Sequence, residues 1–451
     1  MNPKQAKESA SPARQRAYDI LLRVETERAY ASPLIAACDS ELSREDRALA
    51  QEIVLGVLRF QSSLDYFIER YCERPIKRMD VPVLTALRIG LYQLRYLARV
   101  PRSAAVNESV KLVKRSGIAS AAGLVNAVLR KATRHPDEIP GELIADPLER
   151  ASVELSHPRW MLERWHAFLG ADEARLFAIA NNTPPATSLR VNTLRGSIDE
   201  ALADLNAKGV TVRASQIAAG GFVVESGSSR LVNEAARLGV IYIQDEASQL
   251  VSHLLEPRSG HRVLDVCAAP GSKTTHIAAL TSDQAWIIAS DLHPHRLRVL
   301  AATCERLGIN SIDSLALDLT QSLPFAAALQ TFDRVLLDAP CSGTGTLRSN
   351  PEIKWRLTSE DITRLSELQL NLLERASATV AQAGRLVYST CSIEREENEE
   401  VVSRFLTGNV AFNVVKPQAP AELITSDGFV RTFPHKNGCD GFFAAVLERT
   451  S

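Results

Sequence analysis

The chain has 451 residues, 45% of them hydrophobic and 23% charged. That is the make-up of a soluble globular protein with two to four domains of roughly 100–200 residues each. No apolar run is long enough to span a bilayer, and the polar stretch Met1–Ala13 lacks the apolar core of a secretory signal, so the expected location is the cytoplasm. The net charge of −1 conceals two opposed blocks: residues 1–136 carry 23 Lys and Arg against 14 Asp and Glu, the remainder 29 against 39. A basic block on an acidic body suits a nucleic-acid partner, and equally a solvated helical surface. Cys38, Cys72, Cys267, Cys304, Cys341, Cys391 and Cys439 are odd in number and form no CxxC pair. This argues against a disulfide framework or a structural zinc site, and no metal is expected.

Residues 14 to about 135 read as a helical bundle. Ala17, Ile20, Leu21 and Val24 make one apolar face over Arg14–Val24. Ser43 with Asp46 is a weak capping signal before Leu49, Ile53, Val54, Val57 and Leu58. Pro82 opens a helix through Leu84, Leu87, Leu91 and Leu94, and Ala104–Leu129 follows with a break near Gly117. A boundary is expected across His135-Pro136 to Ile139-Pro140-Gly141. Next comes a small α+β adapter: helices near Pro158–Leu169 and Ala174–Ala180, a strand at Ser188-Leu-Arg-Val, a helix over Ile198–Lys208 and a strand at Gly221-Phe-Val-Val. From about residue 240 short strands alternate with helices, the pattern of a mostly parallel α/β sheet. The expected strands are Arg262–Cys267, Trp286–Asp291, Ser314–Asp318, Phe332–Asp338 and Arg385–Ser389, with a late strand from Gly441. A helix is expected after each of the first three, and Ser359–Ala381 after the fourth. The domains are thus 1–140, 141–238 and 239–451.

In a doubly wound sheet the ligand sits beyond the carboxyl ends of the strands. The first strand ends in Cys267-Ala268-Ala269-Pro270-Gly271-Ser272-Lys273. One glycine is too few for GxGxxG, and Ser272 separates Gly271 from Lys273, so this is not a P-loop. Small residues still let a ligand approach the backbone. Asp291, at the end of the second strand, is placed for ribose hydroxyls; Asp318, at the third, for an adenine amino group; Asp338 ends the fourth. Any one Asp alone is as readily a helix cap. Together they suit a nucleoside without phosphates, and S-adenosylmethionine is such a ligand, its sulfonium tolerating nearby carboxylates.

Two cysteines stand at consecutive strand ends, in Asp338-Ala-Pro-Cys341-Ser-Gly-Thr-Gly and Ser389-Thr-Cys391-Ser. A lone Cys is usually a small buried hydrophobe, which suits Cys38, Cys72 and Cys304 better than a Gly-rich loop. With Cys-Ala-Ala-Pro-Gly-Ser-Lys-Thr, these motifs resemble the RNA 5-methylcytosine methyltransferases of the Nol1/Nop2/Sun type, over about the last 210 residues. Gln51-Glu-Ile-Val-Leu-Gly-Val-Leu-Arg and Ser188-Leu-Arg-Val-Asn extend the match to a bacterial subgroup acting on small-subunit ribosomal RNA, whose first domain resembles the antitermination factor NusB. The resemblance implies a Rossmann-like methyltransferase domain behind an all-α NusB-like bundle and an RNA-recognition-like adapter.

It also implies catalysis by Cys391 and Cys341. Cytosine C5 is a weak nucleophile; a thiolate on C6 makes it enamine-like, dividing one hard step into easier ones. Cys391 is the implied nucleophile, Asp338 the partner of N3 or the N4 amino group, and Cys341 the release cysteine, acting directly or through water. DNA enzymes use a Pro-Cys nucleophile, which would promote Cys341; Ser-Thr-Cys-Ser favours RNA. Lys273 either supports a thiolate and Asp338 or is a surface lysine in a first helical turn. Asp245 reads as a helix cap. Arg14, Arg95, Arg99, Lys111, Lys114 and Arg115 are candidates for phosphate contacts, each more readily an ordinary surface charge. The expected partner is small-subunit ribosomal RNA, before full ribosome assembly, bound by a monomer. A transfer-RNA methyltransferase and an RNA-binding assembly or antitermination factor are the alternatives.

Overall fold

The computed structural model describes residues 10–37, 42–321 and 332–450. The chain divides into two compact units: one takes in everything to Pro184 together with Leu347–Leu357, the other Pro185–Thr346 and Thr358–Ser451.

The first unit is helical. Its elements are α1 (Pro12–Thr26), α2 (Ala31–Ala36), α3 (Arg44–Arg59), α4 (Gln61–Cys72), α5 (Val81–Tyr96), α6 (Arg102–Arg115), α7 (Ala122–Arg134), α8 (Pro147–Glu154), α9 (Arg159–Leu169) and α10 (Ala171–Asn181). The apolar faces read from the sequence close one core, with Ile53, Leu64, Phe67, Leu87, Leu112 and Leu129 inaccessible. Ser43 caps α3 by accepting from the Asp46 amide, and Gly117 takes a positive φ in the break between α6 and α7. α5 is buried from Val83 to Gln93. Its Arg88 is held by both oxygens of Asp65, at 2.7 and 2.8 Å, the pairing a buried guanidinium needs. Leu347–Leu357 is fixed among these helices by polar contacts: Lys354 Nζ donates to Arg59 O, Ser156 O and Asn182 Oδ1, Trp355 Nε1 to Leu58 O, and Glu352 accepts from the Ala31 amide. No described helix is long and apolar enough to cross a membrane.

The second unit carries two sheets. The smaller holds β1 (Ser188–Val191), α11 (Ile198–Ala207), β2 (Thr211–Ala214), β3 (Gly221–Ser226), α12 (Ser229–Arg237) and β4 (Ile241–Ile243), in antiparallel order β2-β3-β1-β4. β2 and β4 go unread in the sequence: β2 is an exposed edge and β4 has three residues. Arg190 and Asn192 are buried; they reach Thr275 Oγ1 and Leu307 O, each at 2.9 Å, on helices of the larger sheet.

That sheet follows α13 (Glu246–Leu254). It is built from β5 (Arg262–Asp265), α14 (Ser272–Leu280), β6 (Trp286–Asp291), α15 (Pro294–Leu307), β7 (Ile312–Ala316), β8 (Phe332–Asp338), α16 (Ser359–Ser377), β9 (Val380–Thr390), α17 (Glu399–Gly408), β10 (Phe412–Val414), β11 (Val430–Arg431) and β12 (Phe443–Arg449). The order is β10-β12-β9-β8-β5-β6-β7, with β11 beside β12. β5 to β9 are parallel, and β10 and β12 antiparallel. The strand order reverses between β5 and β8, where such sheets bind ligands.

Several expected bounds need correction. β5 ends at Asp265, not Cys267, because the chain turns into the small-residue loop. β7 is Ile312–Ala316, so Asp318 lies two residues beyond its strand, where its carboxylate accepts from the Thr320 amide and ends the extended run. The fourth strand's helix stops at Ser377, not Ala381: Val380 already pairs with Phe332 and begins β9. The late strand starts at Phe443 rather than Gly441. The helix expected after the third strand falls on residues 322–331, outside the described residues, as does Cys38.

Candidate active site

The parallel register lays the expected residues along one edge. Asp338 pairs with Ser389 across β8 and β9. Cys341 lies in the loop that leaves β8, and Cys391 is the first residue past β9. Their sulfurs are 3.3 Å apart. The loops are tied by backbone as well: the Gly345 amide donates to Cys391 O at 2.9 Å, and the Gly441 amide to Gly345 O at 2.9 Å. The hydrogen bond to Cys391, then burial, then the negative charges of Glu397 and Asp338 push the Cys341 thiol well above its ordinary value.

Lys273 is a buried lysine, not a surface one. It starts α14, is 7% exposed, and its Nζ donates to Asp338 Oδ2 at 2.6 Å. Ser389 Oγ donates to the other oxygen at 2.8 Å. Burial alone would lower the Lys273 pKa; Asp338, through charge and hydrogen bond, then Cys391 and Asp265, more than reverse this, so the ammonium form is favoured. Its Nζ also stands 5.1 Å from the ring centroid of Phe442.

Cys267–Lys273 runs from β5 into α14. Ala268 N donates to Ser290 O at 2.8 Å, and the Ala269–Pro270 peptide is cis. Gly271 has φ +103°, and a Cβ there would lie 2.9 Å from the Leu300 side chain, so the turn requires glycine. Burial first, then the charges of Asp265, Asp338 and Asp291, push the Cys267 thiol far up. The rim is therefore rich in carboxylate, which suits a cation-bearing ligand. Asp291 is buried at the end of β6 and bonded to the His293 amide and Arg296. Asp318 stands apart from this set: its carboxylate is turned onto Thr320, whose hydroxyl holds it below the ordinary range.

Sequence reading missed three residues. Asp265 Oδ2 accepts from Thr274 Oγ1 at 2.7 Å, and its Oδ1 is buried with no partner. Arg296 bonds both Ala269 O and Asp291. Glu397 lies buried behind the cysteine loops. Asp265 had a signal in ending the first strand as Asp291 and Asp338 end theirs; the other two had none. Among the remaining cysteines, Cys304 and Cys439 are buried and Cys72 is half-buried against the helical core. Asp245 caps α13, as read from sequence, accepting from the Ala247 amide, and also accepts from the Asp440 amide. Of the basic candidates, Arg115 pairs with Asp19 and Lys111 with Glu108, while Arg14 bonds Gln93 and Arg95 bonds Glu138 O, both neutral acceptors, so these ion pairs take up two of the six charges. Among the described residues no cluster of three or more His, Cys, Asp or Glu could hold a metal.

Comparison with known proteins agrees with this architecture. Residues 252–448 match the model of the 16S rRNA methyltransferase RsmB/F family, 11–134 the NusB family, and 157–229 the RsmF/B-like ferredoxin-like domain. The chain is 33% identical to a probable ribosomal RNA small subunit methyltransferase B from Bacillus subtilis, covering 96% of this chain and 98% of that one. It is 37% identical to the protein of the same description from Synechocystis, covering 97% and 99%. The crystal structure of PH0851 superposes with a TM-score of 0.83 at 28% identity, covering 98% of this chain and 99% of that one. A methyltransferase homologue from Pyrococcus horikoshii gives 0.59 at 29% identity, covering 67% and 99%. With such identity over nearly the full length of these relatives, the chain belongs to the RsmB/F family of 16S ribosomal RNA methyltransferases.

Proposed function

We propose that this protein transfers a methyl group from S-adenosylmethionine to C5 of a cytosine in small-subunit ribosomal RNA, through a covalent bond between Cys391 and C6, before the RNA is fully packed with ribosomal proteins. The observation that carries the reading is the sulfur pair at 3.3 Å, beside the Lys273–Asp338 pair at 2.6 Å.

The residues at the strand ends fit the cofactor. The carboxylates of Asp291 and Asp338 offer negative charge to an ammonium and a sulfonium, and the orphaned Asp265 Oδ1 is a further acceptor. Asp291 would take the ribose, and the Cys267–Lys273 loop the methionine moiety. Asp318 would take the adenine by turning from Thr320, to which its carboxylate is bonded in the unliganded chain. When bound, S-adenosylmethionine supplies an electrophilic methyl group. Everything else falls to the chain's own groups.

The target base must leave its stack, at a cost of a few kcal/mol, least in loops and unfolded RNA. Asp338, oriented by Lys273 and Ser389, accepts from the N4 amino group or a protonated N3 as charge builds on the ring. The Cys391 thiol gives up its proton, N3 gains one through solvent, and the sulfur adds to C6; C5 becomes nucleophilic and is methylated. The raised pKa of Cys341 gives the two thiols different duties. While Cys391 is free, Cys341 keeps its proton and can donate it to the Cys391 sulfur. After C5 has been methylated, Cys341, directly or through water, takes the C5 proton. Loss of that proton lets the Cys391–C6 bond break and frees the product.

The test is a pair of variants with RNA bisulfite mapping. Cys391→Ser is expected to abolish transfer and erase a 5-methylcytosine from small-subunit ribosomal RNA. Cys341→Ser is expected to accumulate a protein–RNA adduct stable to denaturing electrophoresis. Full turnover by Cys391→Ser would sink the assignment of the nucleophile; an unchanged ribosomal RNA map would sink that of the substrate.

A further inference from the structure

The residues that follow the two cysteines are bound to one carboxylate. Glu397 ends a short helical turn, Arg395–Glu397, between β9 and α17, and is inaccessible to solvent. Its Oε1 accepts from the Ser342 amide at 2.8 Å and from Gln369 Nε2 at 2.9 Å. Its Oε2 accepts from the hydroxyls of both Ser342 and Ser392. Gln369, on α16, also donates to Pro340 O at 2.9 Å, just ahead of Cys341. The backbone of Glu397 is held in turn: its carbonyl accepts from Tyr388 OH, and Asn398 bonds Ser392 O and Thr390 Oγ1.

A buried carboxylate is costly unless its oxygens are satisfied. Here both are, and among the described residues no ion pair joins Glu397 to a cation. All its donors come from the two cysteine loops and the helix behind them. The group therefore spends its hydrogen-bonding capacity on tying Cys341-Ser342 to Cys391-Ser392. Direct bonds join the loops as well, Gly345 N to Cys391 O at 2.9 Å and the Ser342 and Ser392 hydroxyls at 3.1 Å, and the carboxylate adds to them a tie from the residue after each cysteine to α16.

We infer that Glu397 is a positioning residue for the reaction proposed above: its carboxylate clamps the two loops and thereby sets the distance between the thiols. The inference rests on the reading of Cys341 and Cys391 as the reacting pair. A displacement of about 1 Å at reacting groups costs on the order of 100-fold in rate.

The experiment reads thiol separation independently of catalysis, in the full-length protein. Phenylarsine oxide bridges two thiols held close together, releasing water, and peptide mass mapping locates the bridge. The wild-type protein is expected to be bridged across Cys341 and Cys391. In Glu397→Ala the bridge should be lost, with kcat down about 100-fold and the KM for S-adenosylmethionine within about twofold. Glu397→Gln, of equal reach and able to accept from the Ser342 amide while donating to the serine hydroxyls, should restore both. Ser392→Ala removes the tether on the Cys391 side alone with minimal change of volume, and is read in the same way should Glu397→Ala fail to fold; its bridging and kcat should fall about tenfold. Unchanged bridging and kcat in Glu397→Ala, or in Ser392→Ala, overturn the inference. Loss of bridging in Glu397→Ala alongside full turnover by Cys391→Ser would instead reject the chemistry and leave the clamp standing.

Discussion

Gly345→Ala is a severe test of the cysteine-loop geometry, because nothing around this position can yield cheaply. A Cβ on Gly345 would lie 1.9 Å from Gly441 O and 2.9 Å from Cys391 O. A carbon and a carbonyl oxygen in contact need about 3.3 Å, so the Gly441 carbonyl must retreat by more than about 1 Å. The same strip of backbone carries the bonds Gly345 N to Cys391 O and Gly441 N to Gly345 O, each at 2.9 Å. Losing both, with buried groups left unpaired, costs about 2–4 kcal/mol, and overpacking adds about 1–3. At about 2–4 °C per kcal/mol for a unit of this size, the melting temperature should fall by roughly 10 °C. The displaced carbonyl of Cys391 should move its sulfur as well, for a loss in kcat on the order of 100-fold. Transfer of tritium from labelled S-adenosylmethionine to unmodified small-subunit RNA gives kcat, and thermal melting gives stability. A variant that melts within about 2 °C of wild type and turns over within about threefold would refute the view that this contact holds the cysteines in place.

Two further predictions concern buried polar groups. Burial, followed by the charge of Asp338, pushes the Asp265 carboxyl up to about 7. A folded-state value raised above the unfolded 3.8 contributes stability that is complete below pH ~4 and is lost as pH rises through about 7, up to about 4 kcal/mol. Asp265→Asn should therefore gain stability relative to wild type between pH 5 and 8 in denaturant unfolding without cofactor; a difference that does not change with pH rejects the assignment. In the helical unit, Lys354 Nζ satisfies Arg59 O, Ser156 O and Asn182 Oδ1 while 1% exposed. Lys354→Met should destabilise by about 3 kcal/mol through the acceptors left unpaired, and an unfolding midpoint equal to wild type would show that those bonds contribute nothing net.

The fold was legible where apolar periodicity or a named cap carried it. Val263 and Leu264, Ile287 and Ile288, and Val335, Leu336 and Leu337 read as short apolar runs because the central parallel strands are covered on both faces. β2 could not be read this way: as an exposed edge it buries almost nothing, so no alternation marks it. Nor could the association of Leu347–Leu357 with the helical unit be read. Its anchors are Glu352, Lys354 and Arg356, side chains that ordinarily mark a solvated surface, and their partners are carbonyls and an amide more than 170 positions away for Lys354. Polar burial of that kind is decided by partners, and a single stretch of sequence does not show them.

The same distinction divides the site. Cys341, Cys391 and Asp338 were legible as a set at consecutive strand ends, and the register of β8 and β9 brings them to one edge. Lys273 stayed ambiguous in the sequence, since a lysine in a first helical turn is commonplace; its burial against Asp338 resolves it. Glu397 was invisible. It stands in Glu394-Arg-Glu-Glu-Asn-Glu-Glu400, a charge run of the sort that usually faces solvent. Within that run Glu394, Glu397 and Asn398 are buried while Arg395 and Glu400 are exposed, so the inward face has helical spacing but is drawn in polar letters. A periodicity argument weighs only apolar residues, and it discards such a face. The face exists because the polar cysteine loops supply donors at Ser342 and Ser392, and a carboxylate can take several at once where a methyl group can take none. An inward acidic face opposite a polar loop is therefore a trace of the loop's own hydrogen-bonding demand, and it becomes legible only once the loop's position is known.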